Sequence, residues 1–86
     1  MASTEGSDKS SVARQMLVDL KERLGRPLTT AEVIMEFTDR MQRGEQIGWE
    51  AVLVHVDGFL GDVPTEKRVA LPRNLALAAA LVVSGK

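Results

Sequence analysis

The sequence predicts a small, mainly α-helical bundle of four elements in a single domain, within a chain of 86 residues and 9.4 kDa. Two segments carry apolar residues at three- and four-residue spacing, the period of a helix with one buried face. Their ends carry the capping and stop residues that helices need. The last segment is built from Ala, Leu and Val and has high helix propensity. One element is contested, so an α+β fold with a β-hairpin around residues 51–63 stands as the alternative.

Residues 1–9 are small and polar and read as a flexible N-terminal tail, leaving 10–86 as the helical domain. The first helix is expected from Ser10 to Leu24. Ser10 or Ser11 supplies an N-cap hydroxyl, and Ala13, Leu17, Leu20 and Leu24, with Met16 beside them, form the apolar stripe. Gly25 provides the stop, and Pro27 prevents continuation.

The second helix has the clearest start. Thr29-Thr30-Ala31-Glu32 matches a capping box, in which Thr29 and Glu32 satisfy each other's backbone donors. Leu28 and Val33 occupy the hydrophobic-staple positions on either side of the cap. Val33, Ile34, Phe37 and Met41 continue the stripe, and Gly44 closes the helix. Glu36–Arg40 and Asp39–Arg43 are acid-first pairs four residues apart, the favourable orientation.

Trp49 to Leu60 fits a helix ended by Gly61. It also fits a strand of Val52, Val54 and Val56, with Asp57-Gly58 as a two-residue turn returning through Phe59 to Val63. Gly58 costs about 1 kcal/mol inside a helix. Gly61, Asp62 and Pro64 make a poor second strand, which tilts the reading toward helix. Thr65–Ala70 reads as a turn of helix or an extended link. Pro72 suits a first helical position, so the last helix is expected from Arg73 or Asn74 to Val83.

Composition excludes several functions. The chain is 44% hydrophobic and 27% charged, as globular chains are, and has no Cys, which removes disulfides, thiolate metal sites and cysteine nucleophiles. Eleven basic and twelve acidic residues give a net charge of −1, unlike a strongly basic nucleic-acid binder. Residues 31–60 carry two basic and six acidic groups, so a helix–turn–helix placed there would present carboxylates to phosphates. A DNA-binding regulator of that type is the rival reading; nucleic acid is not the partner this charge distribution predicts. With no signal-like leader and a longest uncharged apolar run of nine residues, Leu75–Val83, the chain reads as cytoplasmic, with no membrane partner.

No catalytic constellation is visible, and the chain reads as a non-enzyme with no cofactor and no metal. His55 is the lone imidazole; with no Ser or Cys partner in a triad-like order it reads as a solvated or core-edge residue. One His and scattered carboxylates fall short of the three or four ligands zinc takes. The glycines lack phosphate-loop context.

Apolar length is the informative excess. Ala51–Val56 and Leu75–Val83 are apolar nearly all round, and in so short a chain one such helix is readily central. The other is expected to be covered, most simply by a second copy of itself. Trp49, Leu53, Val56, Phe59, Leu75, Leu77 and Leu81 are therefore the candidate interaction residues. The function expected is a small, non-enzymatic, homodimeric interaction and regulatory module that covers a surface of a larger protein, for example as an inhibitor or anti-activator of a transcription regulator. A structural subunit of a larger assembly is a further alternative.

Overall fold

The computed structural model describes the backbone of residues 3–85 and the side chains of residues 11–85. Among the described residues it is mainly helical: α1 (Ser3–Leu24), α2 (Thr30–Gln42), α3 (Trp49–Val56) and α4 (Thr65–Ser84). The most extensive packing is α2 along α4 and α1 along α3, with α3 touching α4 and α1 meeting α2 least.

The stripes read from the sequence build the core. On α1, Ala13, Met16 and Leu17 are fully enclosed and Leu20 nearly so. Leu24, the last member of that stripe, lies at the helix end and is exposed. Val33 and Phe37 of α2 meet Val52 and Val56 of α3 and Leu71, Leu75 and Ala78 of α4 in one cluster. Phe37 is the largest fully buried side chain, and enclosing it contributes about 2–3 kcal/mol of transfer free energy.

Local signals set the helix ends. The capping box forms: Thr29 Oγ1 accepts from the Glu32 N–H at 3.2 Å, and the Thr29 N–H donates to Glu32 Oε1 at 3.0 Å. Leu28 and Val33, the staple pair, are both buried. Gly25 and Gly44 adopt φ of +71° and +96°, the left-handed conformation glycine reaches without steric cost, and so end α1 and α2.

Four expectations require correction. Helix α1 begins at Ser3, so residues 3–9, read as a tail, continue the helical backbone. No proline interrupts them, and each residue added to an existing helix gains a hydrogen bond without a new nucleus. Helix α3 is the helical alternative, but it stops at Val56, four residues before Leu60. Asp57 and Gly58 form a turn, with the Gly58 N–H on the His55 carbonyl at 3.2 Å. The chain after that turn does not fold back on residues 52–56 as a hairpin. It pairs with Leu28: the Leu28 N–H donates to the Phe59 carbonyl at 2.9 Å, and the Gly61 N–H to the Leu28 carbonyl at 3.0 Å. The α1–α2 and α3–α4 connections are thereby tied together.

Helix α4 starts at Thr65, and Pro72 lies inside it. Pro72 has no N–H to give the Arg68 carbonyl, a loss normally costing about 3 kcal/mol with its ring clash. Its ring lies on an exposed position, while Leu71 just before it and Leu75 one turn after it are buried and anchor both halves of the helix in the core. Tertiary packing overrides the local break. Finally, neither apolar segment is central. Helices α3 and α4 each bury one side, leaving Val54 74% exposed on α3 and a longer apolar face on α4.

Candidate interaction surface

Helix α4 is inserted through Leu71, Leu75 and Ala78, and its opposite side is apolar as well. Val69, Leu77, Leu81 and Val83 are 73%, 54%, 69% and 67% exposed, interspersed with exposed Ala80 and half-buried Ala76. At its C-terminal end this side adjoins the end of α2: Leu81 and Val82 share a shallow cleft with Met41, Gln42 and Gly44. At its N-terminal end Thr65, Glu66, Val69, Ala70 and Arg73 line a second concavity. Both charges there, Glu66 and Arg73, are exposed and make no ion pair or hydrogen bond among the described residues.

The seven candidate residues divide. Leu77 and Leu81 lie on this exposed side of α4. Trp49, Leu53 and Phe59 are half-buried and pack against the core. Val56 and Leu75 are core residues, 2% and 0% exposed, and offer no surface to a partner. The correction has a simple cause: residues 75 and 77 are separated by about 200° around a helix, so one points in when the other points out. Val69 and Val83, absent from the expected set, belong to the exposed face. Val69, eight residues before Leu77 and about 80° from it, falls on that side once α4 is extended back to Thr65, while Val83 lies at its edge near the helix end.

A second feature joins α1 to α2. Glu36, read from the sequence as the acid of an i,i+4 pair with Arg40, is buried, its side chain only 9% exposed. The Arg23 guanidinium donates to its Oε1 at 2.8 Å, and Arg40 Nε to its Oε2 at 2.8 Å. Arg40 also approaches Asp19 at 3.6 Å and Glu45 at 3.5 Å. Burial pushes the Glu36 carboxyl up, but the hydrogen bonds and charges of Arg40 and Arg23 outweigh it and hold the group below the ordinary carboxylate range. On the outer side of α2, Arg26 holds Glu32 down to about 2, aided by the Thr29 backbone N–H. The expected Asp39–Arg43 pair is present and exposed. Arg23–Glu36 and Arg40–Asp19 link α1 to α2, and every carboxylate named is matched by a cation.

Of the basic residues near the start of α4, Lys67, Arg68 and Arg73, one is used in the same way. Arg68 donates to the Gly61 carbonyl at 3.2 Å and to Asp57 at 3.3 Å, bracing the α3–α4 turn. Lys21 sits 6.0 Å from the centroid of the Phe59 ring, a cation–π contact across the α1–α3 side. Among the described residues, no group of three or more His, Asp or Glu side chains is placed to hold a metal ion. No helix there is long and apolar enough to cross a membrane. In comparisons with known proteins, the chain matches no family model, no curated protein and no solved structure.

Proposed function

We propose that this chain is a cytoplasmic, non-enzymatic interaction module that covers a surface of a larger protein, in the manner of an inhibitor or anti-activator of a transcription regulator. The observation that carries the reading is the outer face of α4, with four large apolar side chains more than half exposed along one helix. Contiguous apolar patches on a lone small protein are uncommon and mark contact surfaces. The C-terminal part, with Leu81 beside the α2 end at Met41 and exposed Leu77 one turn before it, offers a preformed ledge for an apolar anchor of the partner. Such a role needs shape and apolar area, and no reacting group.

The test is recovery of a tagged chain from its native cells. A stoichiometric complex with a larger protein is expected, and the double variant Leu77→Glu, Leu81→Glu should abolish it while retaining the helical circular-dichroism spectrum, because both side chains point to solvent. A complex indifferent to that variant, or no stoichiometric complex at all, would refute the reading.

A further inference from the structure

We infer that the N-terminal half of α4 is a self-pairing surface, on which a second copy of this chain docks antiparallel. The inference deepens the interaction-module reading and rests on it. Glu66, Val69, Ala70 and Arg73 line one concavity on the exposed side of α4. Glu66 and Arg73 make no ion pair or side-chain hydrogen bond among the described residues, so both charges are available to a partner. Seven residues of helix separate them by about 10.5 Å, too far to pair within one chain.

Two copies of α4 laid antiparallel about a two-fold axis between residues 69 and 70 resolve this. Glu66 of each copy then lies level with Arg73 of the other, giving two identical ion pairs. Val69 and Ala70 meet at the centre, where the small Ala70 allows close approach of the backbones. The surface is self-complementary, as a two-fold interface requires. Charge also selects this register over full overlap of the two helices. Full overlap would bring the two Arg73 side chains within about 4.5 Å along the axis, where like charges repel. The shifted register overlaps residues 65–74 alone. That is about 15 Å of helix, so the contact falls short of the roughly 800 Å² per partner of a stable interface, and the dimer is weak and concentration-dependent. Leu77, Leu81 and Val83 lie beyond this overlap of the two α4 helices.

Sedimentation velocity on the purified chain, from low micromolar to near-millimolar concentration, tests this. Wild type should pass from monomer to dimer, with weaker association at high salt. Glu66→Arg and Arg73→Glu singly should each weaken association roughly tenfold, since each turns two attractions into two repulsions. The double variant Glu66→Arg, Arg73→Glu should restore it. Glu66→Gln and Arg73→Gln, which remove charge without adding repulsion, serve if a reversal disturbs the fold by circular dichroism, and each should weaken association less. A chain that stays monomeric at every concentration overturns the inference, as does a dimer indifferent to all four single variants or one lost only on Leu77→Glu, Leu81→Glu. A monomeric chain that still forms the larger complex through Leu77 and Leu81 leaves the covering role intact and removes the self-pairing alone.

Discussion

Replacing Glu36 by Ala is the sharpest probe of how this bundle is held together. Helices α1 and α2 share little packed surface, so the carboxylate between Arg23 and Arg40 supplies an important link across them. The substitution removes two charge-assisted hydrogen bonds of 2.8 Å from a side chain only 9% exposed. It also leaves the Arg40 side chain, 17% exposed, with Asp19 and Glu45 at 3.6 and 3.5 Å, longer contacts that compensate in part. Hydrogen bonds to charged groups contribute about 1.5–3 kcal/mol each when lost from a buried site. With partial compensation, a total cost of about 2–3 kcal/mol follows. For a domain of this size that corresponds to a fall in Tm of roughly 10–20 °C. Arg23→Ala is the internal comparison: the Arg23 side chain is 57% exposed, and its removal should cost under about 1 kcal/mol. Urea unfolding followed by far-UV circular dichroism measures both. The reasoning is wrong if Glu36→Ala costs no more than Arg23→Ala.

Other outcomes follow from single contacts. A Cβ on Gly61 would lie 2.8 Å from Pro27 Cβ, so Gly61→Ala should push apart the two tied loops and cost about 1–3 kcal/mol, with faster amide exchange at Leu28. Gly58→Ala, where the nearest neighbouring atom is 3.7 Å away, should be tolerated, and equal costs at the two positions would contradict the close-approach argument. Stability should also fall in acid. Glu32 has its folded pKa lowered from 4.5 to about 2, so its contribution is full above pH 4.5 and fades as pH drops toward 2. Glu36, also lowered, adds in the same direction. Thermal melts across that window should show a decline that Arg26→Ala makes shallower; an unchanged slope in the variant would disprove the role of the Arg26–Glu32 pair.

Helix α2 shows what a sequence states most clearly. Its cap, staple, stripe and stop are encoded within a few residues of one another, and all formed as expected. Glu36 shows the opposite. A carboxylate four residues before an arginine is the ordinary mark of a solvated face, and nothing local reports that Arg23, thirteen residues earlier, will close over it. Of the candidate contact residues, Leu77 and Leu81 were found because apolar excess near the C-terminus is visible in composition. Val56 and Leu75 were misplaced because the side of a helix that faces inward depends on where its neighbours lie.

The sequence by itself determined the helical class, the ends of α1 and α2 at Gly25 and Gly44, and the excess of apolar length in the second half. Each of these is written in contacts between residues no more than about four apart, the reach of capping and of helix periodicity. Only the tertiary structure decided that residues 59–61 pair with Leu28, that α4 runs unbroken through Pro72, and that its outer side stays uncovered. Those outcomes depend on competition between distant surfaces for the same core: Leu71 and Leu75 hold both halves of α4 against α2 and α3 strongly enough to carry a proline through the helix.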